Sequence, residues 1–220
     1  MKDILLQELI DKCSIFNGID FNRLHYYFDF SKAKIINLKK DDYVFEDEDI
    51  PQGMFVLLDG EVKIEKISAT GEQFNISTID TFGTLFGEVF YLLNSSSYGA
   101  FAFASKPSSI LYFQLKKSHE YEDVLTIIQA NLIKTLAEKL FYLNQKIKIL
   151  SHTTLRQKIC TMLIEIPNSS RMKRNEMAKY LSVARPSLSR ELSNMEKDGI
   201  IVIENGNIRI NDYIKIQYYI

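Results

Sequence analysis

The chain has 220 residues, 46% of them hydrophobic and 25% charged, with a formal net charge of −1. That length accommodates two modest domains with packed cores. It contains no run of 18 apolar residues, which argues against a membrane span. The charged N-terminus MKDILLQELIDK does not read as a signal peptide. Two isolated cysteines, Cys13 and Cys160, fit a reducing cytoplasm and not a disulfide framework. The near-neutral total hides an asymmetry. Residues 154–220 carry 11 Lys/Arg against 7 Asp/Glu, leaving 16 against 21 for residues 1–153. A basic C-terminal domain on an acidic body suits nucleic-acid binding by one end only.

In chain order, residues 3–16 read as an amphipathic helix with Ile4, Leu5, Leu9 and Ile10 on one side, ended by Asn17-Gly18. A second helical turn covers residues 21–28. From Ile35 the rhythm changes. Segments 35–38, 43–45, 54–58, 61–67, 73–79, 84–86, 99–104 and 109–115 are short, rich in Ile, Val, Phe and Tyr, and punctuated by Gly, Asp, Ser or Pro. Asp59-Gly60 between MFVLL and EVKIEKI is a hairpin signal. Many short strands with regular turns predict a β-barrel, roll or sandwich. The acidic cluster Asp41, Asp42, Glu46, Asp47, Glu48 and Asp49 reads as a solvated loop face, without the ligand spacing of a calcium loop.

Residues 121–150 turn helical without a Gly or Pro. Ile133, Leu136, Leu140, Leu143, Ile147 and Leu150 step by 3, 4, 3, 4, 3, a heptad seam. Thirty helical residues span about 45 Å, more than one small domain can cover. The seam therefore predicts a two-stranded homodimer interface. Ser151-His152-Thr153 reads as a hinge, followed by a helix from Thr154 to Ile166 that Pro167-Asn168-Ser169-Ser170 ends.

The stretch Arg174–Ile203 holds a short helix, a turn at Ser182-Val183, a second helix and the start of a strand. Met177, Ala178 and Leu181 form the apolar side of the first helix; Leu188, Leu192 and Met195 form that of the second. Pro186 suits the first turn of the second helix. Arg174, Arg185, Ser187, Ser189 and Arg190 are candidate DNA contacts, since guanidinium and hydroxyl groups suit phosphates and base edges in a major groove. IIVIENGNIRI, residues 200–210, predicts a hairpin turned at Asn205-Gly206, with Arg209 facing a phosphate. The fold class is thus α+β. Residues 1–120 form a β-roll with N-terminal helices, residues 121–153 a dimerisation helix and hinge, and residues 154–220 a winged helix-turn-helix.

A β-roll, a long dimer helix and a winged helix-turn-helix in this order resemble the bacterial family of the cyclic-AMP receptor protein and the fumarate-nitrate regulator. The specific stretches are ARPSLSREL at 184–192, the segment from Gly53 through Asp59-Gly60-Glu61, and GEVFYLLNSSSYGA at 87–100. The resemblance implies a cyclic-nucleotide-binding-like sensor and a cytoplasmic transcription regulator. Its implied partners are double-stranded DNA with a palindromic operator, a second copy of the chain, RNA polymerase and a small-molecule effector. Arg185 and Arg190 match the family's DNA-contacting arginines. Pro186 stands where many members place a glutamate, and Ala184 where a Ser or Thr often caps the recognition helix, a loss of about 1 kcal/mol.

In members that bind a cyclic nucleotide, a Gly-Glu pair holds the ribose and an arginine eleven positions after the Gly neutralises the phosphate. Gly87-Glu88 is present, but the arginine position is Tyr98, followed by Gly99. A desolvated phosphate without a cation is costly, which weighs against cyclic AMP. A cysteine-ligated iron–sulfur cluster needs about four cysteines, and Cys13 is alone near the N-terminus. A haem could be held by His25, His119 or His152. The remaining reading is a small organic effector in an apolar pocket between roll and long helix, lined by Phe86, Glu88, Val89, Tyr98, Gly99 and Leu132. Two alternatives stay open: a haem- or redox-dependent gas sensor of the same family, and a constitutive DNA-binding dimer with a vestigial roll. A cupin-like enzyme would need several histidines on a metal, and residues 35–115 contain none.

Overall fold

The structure, a computed structural model, describes residues 3–68, 71 and 73–220. The chain divides into two compact units, Met1–Leu136 and Ala137–Ile220.

The first unit opens with α1 (Asp3–Lys12), a 3-10 turn at Ser14–Phe16, and α2 (Phe21–Ser31). The Asp20 side chain caps α2 by accepting from the Arg23 amide at 3.1 Å. Eight strands follow: β1 (Lys34–Leu38), β2 (Tyr43–Phe45), β3 (Met54–Asp59), β4 (Val62–Ile67), β5 (Gln73–Ile79), β6 (Leu85–Phe86), β7 (Phe101–Ala104) and β8 (Ser108–Phe113). They form two four-stranded antiparallel sheets, ordered β1-β8-β3-β6 and β2-β7-β4-β5. The short helix α3 (Glu88–Leu92) leaves β6.

The apolar run MFVLL is explained by burial on both faces of β3. Met54, Val56 and Leu58 pack with Leu6, Phe16, Tyr27 and Ile128 beneath the helices. Phe55 and Leu57 face the roll interior with Phe45, Val62, Phe86 and Tyr98. Asp59-Gly60 is a turn, with Gly60 at φ +93, but it does not make the expected hairpin. β3 and β4 lie in different sheets, and Asp59 is paired with Ser109 of β8. The turn packs against the 107–108 backbone, where a Cβ on Gly60 would lie 2.6 Å from the Pro107 carbonyl oxygen. The Glu61 amide donates to Ser108 Oγ at 2.9 Å, fixing the crossing between sheets.

The helix α4 (Glu122–Ser151) is continuous over 30 residues. Val124, Leu125, Ile128 and Leu132 belong to the core of the first unit. Ile149 belongs to the core of the second. The division therefore falls inside α4. That helix is the segment 121–153 expected from the sequence to stand between the sensor and DNA-binding domains, and its unbroken heptad pattern carries no mark of where the packing changes.

The second unit adds α5 (Leu155–Glu165), α6 (Arg174–Tyr180), α7 (Arg185–Lys197), the hairpin β9 (Ile201–Glu204) and β10 (Asn207–Ile210), and α8 (Tyr213–Gln217). A capping box starts α5. The Thr154 hydroxyl accepts from the Gln157 amide, and Gln157 Oε1 accepts from the Thr154 amide, both at 3.2 Å. The segment read as a hinge is tethered within this unit, because His152 Nε2 lies 2.9 Å from Thr161 Oγ1. Lys148 also pairs with Glu165.

Candidate nucleic-acid interface and effector cleft

The helix-turn-helix is built from α6 and α7. Leu181 ends α6, and Ser182 takes a left-handed conformation at φ +55. The Val183 amide donates to the Ala178 carbonyl at 3.0 Å, closing the turn. Ala184 gives α7 no side-chain cap, and Pro186 sits in its first turn. Leu188, Leu192 and Met195 are buried. Arg185, Ser187, Ser189 and Arg190 are all exposed. At about 100° per residue, Arg190 lies opposite the buried stripe and shares that outward face with Ser193 and Lys197. Those two exposed residues were missed because they follow the motif that drew attention. Neither Arg185 nor Arg190 has an ion-pair partner among the described residues.

Two residues grouped with them are placed differently. Arg174, the first residue of α6, is half-buried. Its Nη1 is buried without a hydrogen-bond partner. Burial lowers its proton affinity, and Glu196 opposes that shift. It is thus partly withdrawn from solvent, unlike Arg185 and Arg190. Arg209 is exposed on the wing, but its Nη2 donates to Glu204 Oε1 at 3.1 Å. The wing turn has Asn205 at φ +50 and Gly206 at φ +82, the two positive values of a type I′ turn.

Recognition helix α7 is held from behind by a residue the sequence reading passed over. Arg156 on α5 donates from Nε to Glu191 Oε1 at 2.6 Å and from Nη1 to Asp198 Oδ2 at 2.7 Å. Its guanidinium also lies over the Tyr219 ring, 5.4 Å from the centroid. Burial disfavours its charge, but hydrogen bonds to Glu191, Tyr219 and Asp198 outweigh that and hold its pKa above the ordinary arginine value.

Along α4, Ile133, Leu140, Leu143 and Ile147 are exposed, the last three at 59%, 52% and 65%. Leu136 is half-buried against the core of the first unit, and Leu150 is half-buried in the second. Phe141 is exposed too. Tyr142, also exposed, meets the Tyr180 ring edge-on at 6.0 Å.

The six residues assigned to an effector pocket are not brought together. Phe86 and Tyr98 lie inside the roll, Leu132 packs in the separate core beneath the helices, and Val89 is exposed. Glu88 is buried, and Gly99 adopts φ +59. The strict division into two cores puts β3 and its sheet between Tyr98 and Leu132. Tyr98 instead stacks face to face on Phe45, with centroids 3.7 Å apart, and meets Phe90 edge-on. Burial, with help from Tyr112 and Asp49, pushes its phenol up to about 12, so it stays neutral. A cleft of about 440 Å³ does open beside it, lined by Val44, Phe45, Glu48, Asp49, Ile50, Gln52, Phe55, Tyr98 and Tyr112. The signal for it was present in the aromatic residues flanking the acidic loop.

The three histidines named as candidate haem ligands lie in polar surroundings. His25 faces Asp29 at 3.7 Å on α2, and His152 is engaged by Thr161. His119 borders a groove of about 450 Å³ whose other walls are Lys117, Ser118, Glu122, Leu125, Thr126 and Gln129. One leucine among polar side chains does not match the apolar faces of a porphyrin. Among the described residues, no group of three or more His, Cys, Asp or Glu is placed to hold a metal ion. Both cysteines are buried, and burial pushes each thiol up to about 11.

A β-roll sensor module followed by an exposed, arginine-bearing recognition helix defines a DNA-binding transcription regulator. Residues 35–121 match the cyclic nucleotide-binding domain, and residues 157–217 match the Crp-like helix-turn-helix domain. The transcriptional activator protein anr of Pseudomonas aeruginosa is 23% identical over 191 residues, covering 81% of this chain and 77% of that protein. The fold is shared with the catabolite activator protein of Thermus thermophilus at 17% identity and a TM-score of 0.51, covering 94% and 97% of the two chains. It is shared equally with DNR of Pseudomonas aeruginosa, at 20% identity, a TM-score of 0.51 and 97% of each chain. The chain belongs to the Crp/Fnr family, whose members are transcription regulators and not enzymes. No helix among the described residues is long and apolar enough to cross a membrane.

Proposed function

We propose that this regulator acts in the cytoplasm as a homodimer on a palindromic operator, that a small molecule bound to its roll changes its DNA affinity, and that it works with RNA polymerase. The observation that carries the dimer is the exposure of Leu140, Leu143 and Ile147 at heptad spacing on α4. Complete burial of such a side chain is worth roughly 1.5–3 kcal/mol, and these three leave about half of that unrealised. A parallel copy of α4 covers them as a two-stranded seam. Two copies then bring two recognition helices to half-sites about one DNA turn apart.

In this reading Arg185, Ser187, Ser189 and Arg190 meet the major groove, and Arg209 meets a phosphate after parting from Glu204. Small-molecule occupancy shifts the packing around Tyr98, and α4 passes the change to α7. The test is anisotropy of labelled duplex, selected from a random library, with and without ligand candidates. Coupling of about 1–3 kcal/mol appears as a 5–150-fold affinity change.

A constitutive DNA-binding dimer is the second reading, and the tight Phe45–Tyr98 stack favours it, since Tyr98 is buried against Phe45 at the position where a phosphate-binding arginine is expected. DNA affinity unmoved by any extract or ligand supports this second reading.

A further inference from the structure

We propose that the cleft between residues 44–52 and Tyr98 binds a small organic cation with an aromatic or apolar body. The inference rests on the effector-responsive reading above and names the chemical class of ligand for it.

The floor of the cleft is aromatic. Phe45, Phe55, Tyr98 and Tyr112 line it, and their rings form one connected group. Phe45 and Phe55 have centroids 5.9 Å apart, Phe55 and Tyr112 5.4 Å, and Phe45 and Tyr98 3.7 Å. Gly53 lets the Tyr112 ring lie against the backbone, because a Cβ there would lie 2.6 Å from it. Grouped ring faces and edges offer an apolar body good contact, and ring faces attract cations.

The rim is acidic. Glu48 and Asp49 line the mouth, and residues 41–49 hold six carboxylates with no Lys or Arg. The Asp49 carboxylate accepts from the Glu46 amide at 2.8 Å, which shapes the loop while keeping the negative charge at the mouth. Glu48 is exposed with no partner among the described residues. No arginine or lysine is among the lining residues, so an anion entering the cleft meets the carboxylate charge of the rim, and Lys34 reaches it only through the Tyr112 ring.

A cation already tests one ring of this group. Lys34 Nζ sits 5.3 Å from the centroid of Tyr112. Lys34 thus competes for that one ring, and removing it frees the Tyr112 face for a ligand cation.

The cleft is also wired to the residue at its back. The Tyr98 amide donates to the Asp49 carbonyl at 3.2 Å, and the Gly99 amide donates to the Asp47 carbonyl at 2.8 Å. A ligand that moves the 46–50 loop therefore pulls directly on the Tyr98-Gly99 backbone.

The experiment is isothermal titration of the full-length protein at neutral pH with three probes of one shape: 2-phenylethylammonium, 2-phenylethanol and phenylacetate. The expected order is cation above neutral above anion, with about tenfold or more between cation and anion. Glu48→Gln with Asp49→Asn weakens the cation several-fold and leaves the neutral alcohol unchanged. Lys34→Met tightens the cation, an outcome that misfolding cannot imitate. Equal affinities, a preference for phenylacetate, no binding of any probe at millimolar concentration, or cation affinity indifferent to all three substitutions overturns the proposal. Duplex binding measured on the same samples separates the two readings. A cation that binds but leaves DNA affinity unchanged supports the cleft and counts against effector control.

Discussion

The guanidinium of Arg156 on α5 bonds Glu191 on the recognition helix at 2.6 Å, one residue from the exposed Arg190. The pair sets the rotation of α7 from its buried side, while Arg190 is left free on the outer one. Arg156→Met removes the donor and leaves Glu191 partly buried without its partner. We expect a loss of about 1–2 kcal/mol in urea unfolding. Operator affinity falls more than affinity for random duplex, because only the specific complex needs the helix held in one rotation.

Arg190→Ala is expected to weaken operator binding by about 1–3 kcal/mol and relax one base position. Arg209→Ala costs less, since Glu204 already accompanies that charge in the free protein. Anisotropy titrations against the selected duplex and its single-base variants read both effects. Equal losses on random DNA would make Arg190 a phosphate contact only.

Ser182→Gly is expected to stabilise the protein by about 0.5–1 kcal/mol. The serine holds φ +55, a conformation that costs an L-residue roughly 1–2 kcal/mol and glycine almost nothing in strain. Part of that gain is offset by the larger backbone entropy of glycine in the unfolded chain. Thermal unfolding of the variant reads it, and an unchanged or lower midpoint would show that the Ser182 hydroxyl has a stabilising role.

The buried thiols make stability fall at alkaline pH. Cys13 and Cys160 ionise near 9 when unfolded and near 11 when folded. Between those values the unfolded chain has released protons that the native chain still holds. Stability therefore declines as pH rises from about 9 toward 11. Urea midpoints across that window should drop, and Cys13→Ala should flatten the slope. Burial also predicts slow labelling by a thiol reagent at neutral pH, limited by opening of the fold.

Much of the fold was legible because its signals are local. The heptad residues, the Asn205-Gly206 turn and the Leu188, Leu192, Met195 stripe each declare a period or a dihedral. The five-residue helices α3 and α8 were invisible because they are too short for a 3.6-residue period to show. Asp59-Gly60 announced a turn correctly, but which sheet receives the next strand depends on Ser108, 48 residues after Gly60. The recognition helix was legible for the same local reason. The cleft was not, since Phe45, Phe55, Tyr98 and Tyr112 come from four separate segments. Placing Leu132 beside Tyr98 failed because β3 buries both its faces and so separates two cores.

Leu143→Lys is expected to disrupt dimerisation, because a charge at the centre of the seam meets its own copy across it. Light scattering of wild type and variant reads this directly, and a variant that stays dimeric removes α4 from the interface.

The central claim is that two copies of this chain read one two-fold DNA site. Sedimentation velocity of the protein with a duplex selected from a random library tests it most directly. The account predicts two chains per duplex and a selected sequence with two-fold symmetry. One chain per duplex on an asymmetric sequence would contradict it.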